Sequence, residues 1–161
     1  NDGNTVNFVD SNYETAAAMN SVVTNGASIK DRAYANQGVM QSDSSDMFGA
    51  TKPVTREILA YTLVQMLGQQ GDAAEVDQDQ PLKVFIFDQW VEVVDSDIIA
   101  PELLGHVQLA LNAGLLQAAF SFEDDPIGMG QVLKARFNPN IQVNRALMAM
   151  SLTQLTPLMA E

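Results

Sequence analysis

The sequence contains no cysteine, a single histidine and only eight basic residues against twenty acidic ones. Without cysteine there are no disulfides and no thiolate metal ligands, and one histidine alone cannot build a zinc site. The lack of cysteine fits an exported bacterial protein and is equally compatible with the cytoplasm. The net charge of −12 repels nucleic-acid phosphates and anionic lipid, so we expect neither as a partner.

Long hydrophobic runs are also missing. No stretch has the length of a membrane-spanning helix, and no basic-then-apolar leader opens the chain, which begins Asn1-Asp2-Gly3. We expect a mature or excised fragment with no membrane insertion. Hydrophobic residues make up 47% of the 161, which is enough to build a core, so we predict a folded domain.

The main positive feature is a passage that occurs twice. Val54–Leu67 reads VTREILAYTLVQML, and Val143–Thr156 reads VNRALMAMSLTQLT. When Arg56 is aligned with Arg145, further identical residues coincide: Val54 with Val143, Ala60 with Ala149, Leu63 with Leu152, Gln65 with Gln154 and Phe48 with Phe137. This agreement in register indicates an internal duplication in which each copy supplies half of a shared core.

The duplication extends upstream of these helices. Each copy opens with Val-Asp-Ser, around Asp10 and Asp95, and its first helix is expected to end near Gly26 or Gly114. The sequence therefore predicts one domain over residues 1–161, composed of a first repeat (8–68), a linker with a hairpin (69–92) and a second repeat (93–158).

Residue periodicity predicts an α+β fold, mainly α, with two helical repeats on a shared core and one or two peripheral β-hairpins. Helices are expected over 12–24, 28–37, 55–67 and 101–113, followed by a final helix that Asn144 caps and Pro157 ends or bends. Alternating residues predict a hairpin over 82–94, and 117–122 is expected to pair with 131–137. Residues 69–81 are polar and predict a linker.

Taken together, these motifs resemble the S-layer homology module. The resemblance rests on the Val-Asp opening, the glycine-terminated helix, the turn Phe137-Asn138-Pro139-Asn140 and the helix start Val54-Thr55-Arg56-Glu57. It covers nearly the whole chain as two degenerate copies, whereas the family usually has three modules around a pseudo-threefold axis. The second copy departs from the motif, with Asn144 in place of threonine and Ala146 in place of glutamate.

A narrower resemblance is to the C-terminal region of large bacterial subtilisin-like serine proteases. It rests on four segments: Arg56–Gly68, the hairpin at 84–94, Pro101–Leu116 and Lys134–Ala146. It implies an accessory domain of an extracellular or cell-envelope protein whose catalytic triad lies outside these residues. His106 falls within an amphipathic helix and no nucleophile motif is present, so we expect no catalysis from this chain.

In S-layer homology modules, the arginine of the Thr-Arg-Glu helix start binds anionic cell-wall polysaccharide. The resemblance therefore implies Arg56 and Arg145 as glycan ligands, with Thr55 and Asn144 as their hydrogen-bonding neighbours. A guanidinium offers a fork of donors to a carboxylate, and a helix N-terminus adds free N–H groups. The alternative is that each arginine ties its helix start to the preceding loop or to the other repeat. The chain is then a structural, protein-interaction or dimerisation module with no glycan site.

Three aromatic residues of the first hairpin, Phe85, Phe87 and Trp90, form a second candidate site. If they share an exposed face, they can stack on sugar rings or contact the parent catalytic domain. If they are covered, they shield the helices or a partner subunit such as a second copy of the chain.

Two acidic pairs form a weaker candidate site for a metal ion. Asp77 with Asp79, and Asp124 with Asp125, offer oxygen ligands of the kind that Ca²⁺ prefers. Neither pair has the glycine and terminal glutamate spacing of a calcium loop. We therefore expect no cofactor, and Ca²⁺ is the one ion that these loops suit.

Overall fold

The computed structural model describes residues 7–24, 32–34, 37–125, 127–128 and 130–159. These residues form five α-helices and two antiparallel two-stranded sheets, so the fold is α+β as expected. The helices are α1 (Ala16–Thr24), α2 (Arg56–Leu67), α3 (Gln70–Ala74), α4 (Leu104–Asn112) and α5 (Arg145–Met159). The strands are β1 (Lys83–Ile86), β2 (Gln89–Glu92), β3 (Ala119–Asp124) and β4 (Gln131–Arg136). No helix in this part of the chain has both the length and the apolar character that a membrane crossing needs.

The central element of the core is α2. Its side chains Leu59, Leu63 and Val64 are almost completely buried, and the helix packs against both α4 and α5. Helix α2 ends at Gly68, whose φ of 71° is the left-handed cap conformation that a residue with a Cβ resists. Because α2 is enclosed by elements from the rest of the chain, its position depends on tertiary contacts more than on its own helix propensity.

The start of α2 is joined to the segment that precedes α5. The N–H of Val143 donates to the carbonyl of Val54 at 2.8 Å, and the N–H of Arg56 donates to the carbonyl of Ile141 at 3.0 Å. An antiparallel bridge between Thr55 and Gln142 lies between these two bonds. The two helix-start segments that align in sequence are therefore paired directly through their backbones.

The first hairpin has the predicted alternation. Val84 pairs with Val91 on the buried face, while Phe85 pairs with Trp90 on the outer face. The turn lacks glycine, yet Phe87 has a φ of 49° and the following aspartate a φ of 59°. Positive φ at both central positions is the backbone that a tight hairpin requires, and a phenylalanine adopts it only against steric resistance.

The second hairpin, β3 with β4, lies beside the first. A parallel bridge joins Val93 to Ala135, and the N–H of Val94 donates to the carbonyl of Ala135 at 2.9 Å. Ala135 is fully buried, so this end of β4 belongs to the core while the far end of the hairpin extends away from it.

Several element boundaries differ from the sequence prediction. The expected linker over 69–81 contains the helix α3, which packs on the core through the buried Ala73. The backbone of Gly105 lies against this helix so closely that a Cβ on residue 105 would be 1.9 Å from the carbonyl oxygen of Ala73. The helix expected over 101–113 is a 3₁₀ turn at Pro101–Leu103 followed by α4. Pro157, which was expected to end or bend the final helix, does not end it, because α5 continues to Met159 and Leu158 still packs on the core.

The first predicted helix is shorter than expected. It begins at Ala16 because the Asn12 side chain accepts the N–H groups of Glu14 and Thr15 and holds a turn ahead of the helix. The glycine stop at Gly26 lies outside the described residues. So does most of the predicted helix over 28–37, of which Arg32–Tyr34 forms a 3₁₀ turn.

Candidate functional site

Asp10 binds the backbone of a turn far along the chain. Its carboxylate accepts hydrogen bonds from the N–H groups of Ala50 and Gly49 at 2.8 Å and of Phe48 at 2.9 Å. These bonds, that from Ala50 above all, lower the pKa of Asp10 below its ordinary value because they favour the ionised carboxylate. Asp10 therefore holds the turn at Phe48 in place and is not free to act as a ligand.

Asp95 makes the equivalent contact in the second half of the chain. Its carboxylate accepts the N–H of Phe137 at 2.8 Å and the N–H of Asn138 at 2.7 Å. Phe137 is the residue that aligns with Phe48 when the two arginine helices are superposed in sequence. The aspartate of each Val-Asp-Ser segment thus anchors a turn that begins at a phenylalanine.

Arg56, the first of the two predicted glycan ligands, is directed into the protein. Its Nε donates to the carbonyl of Phe137 at 2.8 Å, and its Nη2 donates to the carbonyl of Gln117 at 2.7 Å. The guanidinium carbon lies 4.8 Å from the centre of the Phe137 ring. Burial lowers the pKa of Arg56, and the charge of Asp95 opposes that shift. This arrangement is the one expected if the arginine ties its helix start to the other half of the chain.

Arg145, the second predicted ligand, has a different environment. It is exposed and makes no hydrogen bond or ion pair with any residue in the described part of the chain. Beside it, the Asn144 side chain accepts the N–H of Leu147 at 2.9 Å and caps α5, as expected. The hydroxyl of Thr55 is buried, makes no cap bond and has no partner among the described residues. The four candidates are therefore divided, with Thr55 and Arg56 partly buried and Asn144 and Arg145 exposed.

The three predicted aromatic residues are brought together at the surface. Trp90 is 63% exposed and Phe87, at the tip of the hairpin, is 78% exposed. The rings of Phe85 and Trp90 lie 5.3 Å apart at an angle of 59°. Residues held in strained backbone conformations, as Phe87 is, cost about 1–3 kcal/mol and cluster at functional sites.

A shallow groove of about 480 Å³ runs beside the Trp90 ring. Its other lining residues are Gln80, Pro81, Lys83, Gln108 and Asn112. The side chain of Gln108 is fixed, because it accepts the N–H of Lys83 at 3.0 Å and donates to the carbonyl of Lys83 at 2.8 Å and to Oδ1 of Asn112 at 2.9 Å. The amide of Gln80 and the Nδ2 group of Asn112 make no hydrogen bond within the described residues, so they remain available to a ligand.

Sequence reasoning missed the residues that complete this groove. Gln108 and Asn112 are one helical turn apart on α4, which the chain brings to the edge of β1. The only signal in the sequence was that these two side-chain amides are four residues apart, and such pairs are too common in helices to indicate a site. Phe120 and Phe122 were also missed, although both are exposed on one face of β3.

The acidic loops use their carboxylates on their own backbone. Asp77 accepts the N–H of Asp79 at 2.9 Å, and Asp125 accepts the N–H of Ile127 at 3.0 Å. Across the described ranges, no three histidine or acidic side chains come close enough together to hold a metal ion.

The single histidine belongs to a buried polar cluster. Nε2 of His106 lies 2.6 Å from Oε1 of Gln70, which also accepts the side-chain N–H of Gln65 at 2.7 Å. Burial lowers the pKa of His106, and a contact with the backbone of Glu102 opposes that shift. The ring centre lies 4.8 Å from that of Tyr61, within the core and away from the groove.

The groove beside Trp90 is thus the surface where an aromatic ring and unpaired amides face solvent together. Comparisons with known protein families, characterised proteins and solved structures found no match to this chain. Its function has to be inferred from the chemistry of its own surfaces.

Proposed function

We propose that this chain is a non-catalytic accessory domain that attaches an exported bacterial protein, of the subtilisin-like protease type, to the cell-envelope glycan. The observation that carries the proposal is the exposed groove of Trp90. An indole ring and neighbouring uncharged amides match the two sides of a sugar, because the ring C–H face packs on an aromatic plane while the hydroxyls exchange hydrogen bonds with amides.

The charge of the chain bears on which part of the glycan binds here. A net charge of −12 repels an anionic polymer as it approaches. Only Lys83 adds a positive charge to the groove, and it is paired in the hairpin register with Glu92. We therefore assign uncharged sugar rings, such as those of the peptidoglycan strands, to the Trp90 groove.

The proposed architecture is a pair of S-layer-homology-like repeats that share one core. This proposal is supported by an aspartate in each half of the chain that binds the backbone of a later turn. Asp10 binds the turn that begins at Phe48, and Asp95 binds the turn that begins at Phe137. Each of these turns precedes a helix that begins with arginine.

The test is a sedimentation pull-down with purified peptidoglycan sacculi. Sacculi are prepared in two forms, one retaining the covalently attached anionic polymers and one chemically stripped of them. We expect the wild-type chain to bind both forms and Trp90→Ala to bind about five- to tenfold more weakly, the size of one lost aromatic contact.

Phe122→Ala is the matched control, because Phe122 is 66% exposed on the other hairpin. We expect this variant to bind like the wild type. If Trp90→Ala binds stripped sacculi as tightly as the wild type, the groove is not the glycan site. If the wild-type chain binds neither preparation, the protein-interaction alternative is favoured, and the aromatic face then meets the parent catalytic domain.

A second candidate is anionic glycan binding at the start of α5. The observation that favours it is the exposed and unpaired Arg145 beside a capped helix N-terminus. In the same pull-down, Arg145→Ala would then lose binding only to sacculi that retain their anionic polymers. Equal binding of Arg145→Ala and wild type to both forms would eliminate this site.

A further inference from the structure

The side-chain amide of Gln108 is held in a single orientation by strand β1. Its Oε1 accepts the N–H of Lys83 at 3.0 Å, and its Nε2 donates to the carbonyl of the same residue at 2.8 Å. An amide turned over would set its NH₂ group against that N–H and its oxygen against that carbonyl, so both contacts would repel. The backbone of β1 therefore fixes which side of the Gln108 amide carries the oxygen and which carries the nitrogen.

The orientation of Gln108 in turn fixes that of Asn112, one helical turn further along α4. The Nε2 group of Gln108 also donates to Oδ1 of Asn112, at 2.9 Å. Because the oxygen of Asn112 is turned toward Gln108, its Nδ2 group is turned away, and this group makes no hydrogen bond within the described residues. Asn112 is exposed and lines the groove beside Trp90, so what it offers to a ligand there is a hydrogen-bond donor.

Two other residues of the groove complement that donor. Gln80 is exposed, and its side-chain amide, which has no hydrogen bond to another described residue, supplies an acceptor. Pro81 is also exposed and supplies a carbon surface in addition to the Trp90 ring. Within one groove of about 480 Å³, the protein thus presents an aromatic plane, a donor, an acceptor and a small apolar surface.

We propose that the Trp90 groove selects sugars that carry an acetamido group, the N-acetylhexosamines, and that Asn112 determines this selectivity. The inference rests on the proposed glycan function and names the substrate class of that site. An acetamido group has a carbonyl acceptor for Asn112, an N–H donor for Gln80 and a methyl group for Pro81. The sugar ring that carries it packs on Trp90. Gln108 is a positioning residue, because it orients the Asn112 amide and uses its own donor on Oδ1 and the β1 carbonyl.

Other hydrogen-bond acceptors fit the groove less well. A carboxylate would accept from Asn112, but the net charge of −12 repels it, and Lys83 is the one basic residue among those that line the groove. Lys83 is itself placed opposite Glu92 in the hairpin register. The hydroxyl of a plain hexose is uncharged and also accepts from Asn112, but it brings no methyl group to Pro81. We therefore expect a plain hexose to bind more weakly than its acetamido counterpart.

The test compares two soluble tetrasaccharides by NMR titration of the wild-type chain. Chitotetraose and cellotetraose have the same β-1,4-linked backbone and differ at C2, where the first carries an acetamido group and the second a hydroxyl. We expect chitotetraose to bind at least about tenfold more tightly, since a site that hydrogen-bonds one group of a ligand discriminates against the ligand that lacks it. Chitotetraose should also shift the side-chain NH₂ signal of Asn112.

Asn112→Asp tests the donor directly. Aspartate keeps the oxygen that accepts from Gln108 and has nearly the same size, but it has no side-chain N–H, so the preference for chitotetraose should fall to about twofold or less. Asn140→Asp is the matched control, because Asn140 is exposed, lies outside the groove and gains the same charge. It should keep the wild-type preference.

Gln108→Met tests the positioning role. Methionine has a similar length but cannot orient the Asn112 amide, so chitotetraose should still bind while its preference over cellotetraose falls. A purely structural role for Gln108 would weaken binding of both tetrasaccharides by the same factor. An unchanged preference in Gln108→Met would show that Asn112 is oriented without it.

Failure of the acetamido assignment can be told apart from failure of the glycan function. Equal binding of the two tetrasaccharides by the wild type overturns the assignment, and the glycan function stands if Trp90→Ala weakens both. An Asn112→Asp variant that keeps the full preference overturns it as well. So does a chain that binds stripped sacculi but neither tetrasaccharide. Only a chain that binds neither the tetrasaccharides nor either form of sacculi overturns the glycan function itself.

Discussion

The turns at Phe48 and Phe137 are anchored in the same way but buried to different depths. An aspartate binds the backbone N–H groups at the start of each turn. Phe137 is fully buried beneath the Arg56 guanidinium, whereas Phe48 is half-buried and packs edge-on against Phe8 at 5.7 Å. The local motif fixes the shape of the turn, and the elements packed around it decide whether its phenylalanine becomes part of the core.

The helix starts that follow these turns also differ in how closely they pack on the rest of the protein, and again the first is packed and the second is exposed. In the first, Arg56 and Glu57 both reach across the molecule, and the carboxylate of Glu57 accepts the N–H of Ala100 at 3.2 Å. In the second, Arg145 is exposed, and Ala146 has no carboxylate with which to make the equivalent bond. Two stretches of similar sequence therefore have different uses, one as a junction and one as a free surface.

The largest expected effect comes from truncating the two phenylalanines. Phe137→Ala should lower the free energy of unfolding by about 3–5 kcal/mol, because it leaves a large cavity in a closed core. Phe48→Ala should lower it by roughly half as much or less, since a half-buried ring loses less contact and the site can relax. Urea denaturation followed by tryptophan fluorescence measures both. Equal losses would mean that the two turns are equally part of the core.

The arginine pair should show the next largest difference. Arg56→Ala removes two charge-assisted bonds to carbonyls and the contact with the Phe137 ring, so we expect a loss of about 2 kcal/mol. Arg145→Ala should change stability by less than about 0.5 kcal/mol, as exposed substitutions usually do.

Arg56→Lys adds a sharper control to that comparison. Lysine keeps the positive charge but cannot place two donors on the carbonyls of Phe137 and Gln117 together, so we expect it to retain only part of the stability. Thermal denaturation of all three variants gives the ranking. A loss in Arg145→Ala as large as that in Arg56→Ala would show that the exposed arginine has a structural partner after all.

The helices and strands were predicted from the sequence more accurately than the tertiary contacts between them. Helix α2, both hairpins and the outward position of Phe85 and Trp90 followed from local periodicity, because a helix face or a strand face is set by its own residues. Helix α3 was missed because its polar sequence is held by Ala73 packing close to Gly105, a contact between segments distant in the chain.

The sites were harder to predict for the same reason. The carbonyl partners of Arg56 lie 61 and 81 residues further along the chain, and no side-chain pattern marks a carbonyl as an acceptor. The aromatic site was visible as three residues of one hairpin, but its amides come from α4. Local pattern gave the residues with suitable chemistry, and only the tertiary structure showed which of them face solvent and which face the protein.

The smallest expected effect is a dependence of stability on pH. It reports on the packing of α4 against α2, because His106 is buried on α4. His106 of α4 is the one histidine of the chain, and α1, the counterpart of α4 in the proposed duplication, carries no ionisable side chain. Burial keeps the pKa of His106 below its ordinary value of 6.5 in the folded protein. As the pH falls below about 6.5, the unfolded chain takes up a proton that the folded chain does not, so the free energy of unfolding falls.

His106→Gln separates this effect from the titration of the acidic surface. Glutamine keeps an N–H that can donate to Gln70 but cannot be protonated, so the variant should lose less stability than the wild type between neutral pH and about pH 5. Urea denaturation at a series of pH values measures the difference between the two curves. If the curves run parallel through this range, the folded and unfolded states protonate His106 alike. The histidine would then be reachable by water, and the face of α4 that covers α2 would open more readily than its burial implies.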